Sequence, residues 1–436
     1  MKRIIFTLIT VLSIVNMASA QWSSDSVLMG AGSANDVFYS LKNGTVKTEN
    51  NKNWHLAFSM SPSDSGSIWA NHNVGNSYVT VYNIHKTYAQ WSSVTIADTV
   101  GSSVCYNYDK GWFQGALNDL PRPSIFSFGW GTYNLTSHNV IGDSMFIVKA
   151  DTNYYKVFIH SLISVPMDYA ISVENLNGGP LMTDTISRGT KYADRNFAYY
   201  NLATGVDSNR EPAKPTWDLV FNRYNTLATQ GSVTIPYPVI GALSNKTIKV
   251  SKANMIHVDS ALAHLWNNGD YVFPWPADSS KISGVGYDWK VPPVGPPPAG
   301  WVVPDSVSYF IEDYPGNLYQ LQFTGYSGSG TGKIYLRKRL VAPVSVNDIN
   351  SSLSQYEFFP NPVQNQLSIT LDSRDNTQAN LSIIALNGQV VFAQPVKINQ
   401  GFNNYIINTS SFLNGQYIIS LNGKNIKINS KITIAK

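Results

Sequence analysis

The residues Trp217-Asp218-Leu219-Val220-Phe221 predict a strand, because Trp217, Leu219 and Phe221 alternate along it and face one core. The same pattern stands 163 residues earlier as Trp54-His55-Leu56-Ala57-Phe58. Two copies of one strand pattern indicate that the body of this chain contains two related units.

A second pair of landmarks has nearly the same spacing. Each strand pattern is followed by a predicted β-hairpin, over residues 145–157 in the first copy and 309–321 in the second. The hairpin tyrosines Tyr155 and Tyr319 lie 164 residues apart. The agreement of the two offsets favours an internal duplication, and the alternative is that generic β features align by chance.

The rest of the chain also has the pattern of β-structure. Short apolar or alternating runs bounded by turn residues recur throughout, and the best helical candidate is one short segment, 258–267. We predict an all-β fold with two related β-rich units followed by a small immunoglobulin-like β-sandwich. The predicted boundaries are 21–185 and 186–340 for the two units, 341–355 for a polar linker and 356–436 for the sandwich.

Residues 1–20 predict a removable secretory signal peptide. Lys2-Arg3 gives a basic start, an apolar run over 4–15 follows, and Ala18-Ser19-Ala20 supplies a cleavage site. The apolar run is shorter than the roughly 20 residues of a spanning helix, so we expect no transmembrane helix in the mature chain.

Composition narrows the class of protein further. The 436 residues carry a formal net charge of +4, and no basic stripe indicates a nucleic-acid partner. Only 13% of the residues are charged against 12% aromatic, with 31 Gly and 22 Pro, which is typical of extracellular β-proteins. The lone Cys105 cannot close an intramolecular disulfide and is interpreted as a small core residue.

Five motif blocks follow one another near the C-terminus. They are Phe358-Phe359-Pro360-Asn361-Pro362, Leu386-Asn387-Gly388-Gln389-Val390-Val391, Gly401-Phe402-Asn403, Leu413-Asn414-Gly415-Gln416-Tyr417 and Lys431-Ile432-Thr433-Ile434-Ala435-Lys436. Their order and spacing closely resemble the type A C-terminal sorting domain of the bacterial type IX secretion system. The sorting-signal residues identified by this resemblance are Pro360, Asn361, Pro362, Gly388, Gly401, Gly415, Tyr417, Lys431 and Lys436.

That resemblance implies a route and a set of partners. It implies a Bacteroidota-type bacterium, passage through the periplasm and export by the type IX machinery. It also implies removal of the domain by a sortase and attachment of the body to surface lipopolysaccharide. The expected location is therefore outside the cell or on the outer-membrane surface.

The body resembles a second family on shorter blocks. Trp217-Asp218-Leu219-Val220-Phe221-Asn222-Arg223-Tyr224 and Asn153-Tyr154-Tyr155-Lys156-Val157 are similar to the HmuY-type haem-binding surface proteins, which are all-β. The resemblance makes haem one candidate ligand of a body whose cofactor is otherwise unknown. Haem iron takes axial donors such as His or Met, and the candidates by residue type are His85 and His138 in the first copy and His257 and His264 in the second.

No catalytic constellation is evident in the sequence. It has no His-Glu-x-x-His or paired-cysteine metal motif, and no Gly-x-Ser-x-Gly in a hydrolase setting, so we expect a binding protein and not an enzyme. Three roles stay open: a ligand-binding β-protein, an adhesion or glycan-contact protein, and a secreted hydrolase without a recognisable motif. Aromatic candidates for stacking on sugars, or for core packing, are Trp112, Trp130, Trp275, Trp289 and Trp301.

An Asp-Ser or Asp-Thr pair before an apolar residue occurs six times. The pattern resembles the O-glycosylation sequon of Bacteroidota envelope proteins. The same dipeptides are also ordinary turn residues before a strand, and both interpretations stay open. The candidate hydroxyls belong to Ser26, Thr99, Ser144, Thr185, Ser260 and Ser306.

Overall fold

The computed structural model describes residues 21–61, 66–72, 78–118, 124, 126–230, 233–246, 248–261, 282–293, 295, 300–342, 353–385, 389–423 and 426–436. The predicted signal peptide, His264, Gly388 and most of the predicted linker lie outside them. The described chain is nearly all β, as predicted, and forms two compact units, a body up to Pro343 and a C-terminal unit from Val344.

Strands of the body are numbered along the chain. They are β1 Ser23–Leu28, β2 Asn35–Ser40, β3 Gly44–Asn50, β4 Leu56–Ser59, β5 Ile68–Ala70, β6 Val79–Asn83, β7 Ser103–Cys105, β8 Gly131–Asn134, β9 Asn139–Gly142, β10 Met145–Ala150, β11 Asn153–Ile163, β12 Asp168–Asn175, β13 Met182–Ser187, β14 Phe197–Asn201, β15 Val206–Ser208, β16 Leu219–Gln230, β17 Val233–Ser244, β18 Lys249–Asn254, β19 Val307–Glu312, β20 Leu318–Tyr326 and β21 Lys333–Ala342. Short 3-10 helices lie at Ala31–Ser33, Tyr88–Ser93, Ile96–Thr99, Ala116–Asn118 and Lys214–Thr216, and one helical turn covers 258–261.

Two hydrophobic cores organise the body, each between a larger and a smaller antiparallel sheet. Module 1, residues 54–208, has the sheets β13-β12-β11-β10-β6-β7, with the β8–β9 hairpin attached at β11, and β15-β14-β4-β5. Module 2, residues 22–50 together with 217–342, has the sheets β1-β21-β20-β19-β18 and β3-β2-β16-β17. The two modules therefore share one architecture, as expected of duplicated units.

The two sequence copies exchange strands. Strands β1–β3 precede the first Trp-x-Leu-x-Phe strand but complete the core of module 2, whereas β13–β15 precede the second one but complete module 1. Tyr39 of β2 pairs with Leu219 of β16, and at the equivalent place Tyr200 of β14 pairs with Leu56 of β4. The cores thus divide the body differently from the sequence units 21–185 and 186–340, because periodicity marks a strand without naming its partner.

Aromatic contacts repeat the exchange at the junction of the modules. The Trp217 ring meets Phe38 edge-to-face with centroids 5.0 Å apart, and the Trp54 ring meets Tyr199 in the same way, also at 5.0 Å. Edge-to-face packing is a favoured geometry for aromatic rings. Each repeated tryptophan therefore packs on a strand from the other sequence copy.

His55 follows Trp54 and Asp218 follows Trp217, and these two different side chains have equivalent roles. The Leu202 amide donates to His55 Nδ1 at 3.0 Å, and the Leu41 amide donates to Asp218 Oδ2 at 2.7 Å. Both side chains are buried and each satisfies a backbone N–H in a turn of the exchanged hairpin. The imidazole of His55 and the carboxylate of Asp218 thus each accept one backbone hydrogen bond at equivalent places.

The C-terminal unit consists of β22 Leu353–Phe359, β23 Gln366–Ser373, β24 Thr377–Ala385, β25 Val390–Ile398, β26 Gly401–Asn408, β27 Gly415–Gly423 and β28 Lys427–Ile434. Its sheets, β22-β23-β26 and β25-β24-β27-β28, enclose one core. Strand β22 begins inside the segment predicted as linker, because its polar residues hide the strand pattern there.

Acid should destabilise the body through His55. Burial lowers the pKa of His55 from 6.5 to about 4, so folding favours the neutral ring, whose stabilising effect is complete above pH 6.5 and is lost as the pH falls toward 4. We expect His55→Asn, which keeps an acceptor near the Leu202 amide but cannot titrate, to flatten this part of the curve of unfolding free energy against pH. The exposed His85→Asn serves as the control, and parallel curves for wild type and His55→Asn would contradict the assignment.

Strand exchange also predicts which fragments fold. Residues 54–208 contain every strand of module 1, whereas residues 186–340 lack β1–β3 and with them five buried core side chains, Val27, Met29, Val37, Tyr39 and Leu41. We expect the first fragment to unfold cooperatively in a thermal melt followed by circular dichroism, and the second to do so only when a peptide of residues 22–50 is added. Cooperative unfolding of 186–340 alone would refute the exchange.

Candidate functional site

A groove of about 270 Å³ lies on module 2, between the β16–β17 hairpin, the segment 287–301 and the end of β20. This volume is close to the lower end of the ~300–1,000 Å³ of small-molecule sites. Its lining residues are Arg223, Tyr237, Pro238, Val239, Ile240, Tyr287, Lys290, Pro292, Trp301 and Tyr326.

Hairpin length distinguishes the grooved module from its relative. Strands β16 and β17 have 12 residues each, whereas the equivalent β4 and β5 of module 1 have 4 and 3. The extra length projects Tyr237 and Pro238 beyond the core pairing. The longer hairpin that forms one wall of the groove is therefore a feature of module 2 only.

Backbone contacts hold the second wall of the groove against the hairpin. Ala242 and Gly286 exchange two hydrogen bonds, at 3.0 and 3.1 Å, and Val291 pairs with Val302. A Cβ on Gly241 would stand 2.3 Å from the Gly286 carbonyl oxygen, and Gly286 itself has φ +68°. Both glycines are therefore needed for this close approach.

Lys290 forms the floor of the groove. Its Nζ donates to the carbonyl oxygens of Ile240, at 2.5 Å, and Tyr287, at 3.3 Å. Nζ also lies 4.2 Å from the Trp289 ring centroid and 5.3 Å from that of Tyr326. Burial lowers the pKa of Lys290 to about 7, against the opposing effect of Asp288.

Exposed aromatic faces surround this lysine. Tyr237 and Tyr287 are partly open to solvent, and Trp301 meets Tyr326 edge-to-face with centroids 5.2 Å apart. Arg223, half-buried, supplies a second cation at the same groove. Flat rings flanked by two cations suit a ligand that is itself flat and anionic.

A second cavity, of about 50 Å³, lies at the junction of the two modules and is too small for such a ligand. Asp36 and Arg210 form a buried ion pair there at 2.9 Å, and the Arg210 guanidinium lies 5.0 Å from the Tyr199 ring centroid. Burial raises the pKa of the neighbouring Glu211 to about 7, and its carboxylate accepts the Phe197 amide at 3.0 Å. These bonds join the modules and do not build a ligand site.

The haem candidates lie elsewhere. His85 and His138 are exposed in turns with φ of 51° and 56°, and His138 Nδ1 contacts the Tyr133 hydroxyl at 2.9 Å. His257 is exposed, with Nδ1 4.0 Å from Asp259. None of these three imidazoles lines the groove, and the described part of the chain holds no cluster of three His, Cys, Asp or Glu placed for a metal.

The glycosylation candidates lie within strands, directly before strands, or in helical turns. Ser26 in β1 and Thr185 in β13 are equivalent, and each amide donates to the preceding Asp Oδ1 at 2.7 Å. Ser144 and Ser306 directly precede β10 and β19, which are equivalent strands. Thr99 and Ser260 lie in helical turns. The repeated Asp caps account for the dipeptides structurally, and glycan attachment stays a prediction.

The described sorting-signal residues other than Gly401 gather at one end of the C-terminal unit, whereas Gly401 pairs with Ser373 at the opposite end of β26. Asn361, between Pro360 and Pro362, accepts the Thr433 amide at 2.9 Å and donates to the Lys431 carbonyl at 3.4 Å. Lys436 and Tyr417 bind the loop that ends at Gly415, while Gly401 starts β26 with φ +88°. The motif blocks, distant in sequence, thus fix the last strand and its neighbouring loop.

The fold and these contacts define an all-β protein with a separate C-terminal unit. Residues 357–435 match the family of secretion system C-terminal sorting domains, and residues 193–337 match the HmuY protein family. Both predicted resemblances are confirmed. The chain is therefore a secreted or surface-displayed protein that engages the type IX secretion machinery, and all residues that line the groove lie within its HmuY-like part.

Other comparisons add little. No curated protein matches the chain. A solved structure that resembles it, dimeric latent PorU from Porphyromonas gingivalis, is 10% identical with a TM-score of 0.17, and the match covers 68% of this chain and 26% of that one. A TM-score of 0.17 supports no conclusion about the fold. Among the described helices, none has the length and apolarity to cross a membrane.

Sequence reasoning missed most of the groove. Trp301 was among the aromatic candidates, but Arg223, Tyr237 and Lys290 carry no motif of their own. The available signal was the unequal spacing after the two Trp-x-Leu-x-Phe patterns, because Pro62 follows Phe58 closely whereas no Pro or Gly follows Phe221 before Gly231.

Proposed function

We propose that the body is a ligand-binding module, not an enzyme, and that its groove takes a flat anionic ring system of the porphyrin type. The observation that carries this proposal is the Lys290 ammonium enclosed by aromatic rings at the floor of a groove that also presents Arg223. Ring faces stack on a planar ligand, and the two cations pair with its carboxylates.

Iron is not required for recognition of this kind. Among the described lining residues, the groups able to reach an iron are the phenols of Tyr237 and Tyr287, and a tyrosine oxygen is one of the established haem ligands. Stacking and charge act on the macrocycle whether or not it holds metal. An iron-free porphyrin should therefore bind nearly as well as haemin.

The same exposed rings also favour a glycan-contact role as the second candidate. Tyr237, Tyr287 and Trp301 offer partly exposed faces suited to sugars. A neutral sugar has no use for Lys290 and Arg223, which is why the anionic ring is preferred here.

The groove is tested by titrating the purified protein with haemin and with protoporphyrin IX, followed by tryptophan quenching and absorbance. Tyr237→Ala should raise Kd roughly tenfold, since it removes one aromatic anchor. Tyr314→Ala is a matched control, because both side chains are 53% exposed and Tyr314 lies outside the groove. Binding of neutral glycans alone, or equal loss in both variants, would overturn the assignment.

A second arm of the same titration varies pH. Lys290 is cationic below its pKa of about 7, so affinity for an anionic ligand should fall as the pH rises through that value. Lys290→Met should bind more weakly and lose this pH dependence. A wild-type affinity that is flat across neutral pH would count against a role for Lys290.

We also propose the export route implied by the sorting domain: passage through the periplasm, removal of the C-terminal unit by a sortase and attachment to surface lipopolysaccharide. The motif order from Pro360 to Lys436 supports it. Mass spectrometry of the extracellular protein should show an N-terminus at Gln21 and no peptides from residues 356–436. Extracellular protein that retains Lys436 would contradict the removal step.

A further inference from the structure

The loop between β26 and β27 is held unusually firmly by sorting-signal residues. Lys436 Nζ donates to the carbonyl oxygens of Ser410 and Phe412, both at 2.6 Å, and the Lys436 amide donates to Asn414 Oδ1 at 3.0 Å. The Tyr417 hydroxyl donates to the Leu413 carbonyl at 2.8 Å. The final residue of the chain and a motif tyrosine thus fix the backbone of residues 410–414.

This fixed loop displays an apolar side chain to solvent. Leu413 is 81% exposed, while its neighbour Phe412 packs against the core of the unit. A leucine exposed on a flexible loop would need no such support. Here three hydrogen bonds to the carbonyl oxygens of Ser410, Phe412 and Leu413 hold the loop in position. Fixed presentation of an apolar group is the arrangement of an anchor that a partner buries.

We propose that Leu413 is the side chain by which the type IX export machinery recognises this sorting domain, with Lys436 as the positioning residue. The export machinery is the expected partner because the domain matches the family of secretion system C-terminal sorting domains. Its receptor should offer an apolar recess for Leu413, with acidic groups at the rim, because the exposed Lys431 lies on β28 and the exposed Lys436 follows that strand and contacts the loop.

Motif residues fall into two groups on this basis. Asn361 acts within the unit, because its side chain bonds the backbone of the last strand at Lys431 and Thr433. Lys436 and Tyr417 instead act on the loop that carries Leu413. Loss of Asn361 should therefore lower stability, whereas loss of the Leu413 side chain should lower recognition without unfolding.

The test is made with the full-length chain in its own exporting bacterium, as the ratio of extracellular to periplasmic protein on immunoblots. Leu413→Ser should lower the ratio roughly tenfold or more, the loss expected when one apolar anchor is truncated. Leu413→Met keeps apolar volume and should be exported normally. Ile406→Ser is the control, because Ile406 is 63% exposed on β26 of the same unit.

Two further variants test the positioning role of Lys436. Lys436→Met should lower export and Lys436→Arg, which can still donate to both carbonyls, should restore it. The double variant Leu413→Ser with Lys436→Met should be no worse than Leu413→Ser alone, because both act through one contact. Melting temperatures of the periplasmic proteins check that each variant is folded.

Normal export of a folded Leu413→Ser protein would overturn the proposal, and so would an equal loss with Ile406→Ser. If Leu413→Ser does not fold, the proposal then rests on Lys436→Met and Lys436→Arg, and equal export of those two would overturn it. None of these outcomes bears on ligand binding by the body.

Discussion

The backbone ladder between strands of different sequence copies is the constraint on which the body depends. Because β2 pairs with β16 and β14 pairs with β4, neither copy can close its own core. Closure brings β1, the first described strand, into register with β21 at the end of the body. The body is therefore one interlocked unit and not two independent domains, and the ion pair of Asp36 with Arg210 at the junction is buried as a consequence.

The two modules share their core strands but differ outside them. Inside the modules the exchange is conserved even where the chemistry changed, since His55 and Asp218 each accept one backbone amide at matching places. Outside the cores only module 2 gained a long hairpin and the segment that packs on it through Gly241 and Gly286. A ligand groove can be added to one copy because the shared strands already guarantee the fold of both.

Sequence patterns located strands well and partners poorly. Alternation correctly placed Leu56 and Phe58 in the core of module 1 and Leu219 and Phe221 in the core of module 2. The prediction that Trp54 and Trp217 face the same cores was wrong: both precede their strands and are buried in a separate cluster, because each packs on a strand of the other sequence copy. The runs near 145, 154, 309 and 319 became β10, β11, β19 and β20. Pairing depends on contacts between residues more than a hundred positions apart, about which local periodicity says nothing. The histidine candidates show the same limit, because residue type alone does not reveal that His85 and His138 sit in exposed turns, while Lys290 gains its role from rings brought around it by the fold.

In the sorting domain, the motif residues can be identified from the sequence, but the way in which a partner recognises them cannot. Gly, Pro and Asn in such blocks mark turns and caps, which serve the fold of the domain itself. Recognition by another molecule needs something exposed, and exposure cannot be read from a motif. The contacts separate these two demands: Asn361 closes the last strand, whereas Lys436 and Tyr417 donate to the backbone of a loop that packs Phe412 against the core and leaves Leu413 exposed. The same bonds fix the position of the solvent-exposed Leu413, and a fixed apolar side chain at the surface is the feature that the proposed contact with the export machinery uses.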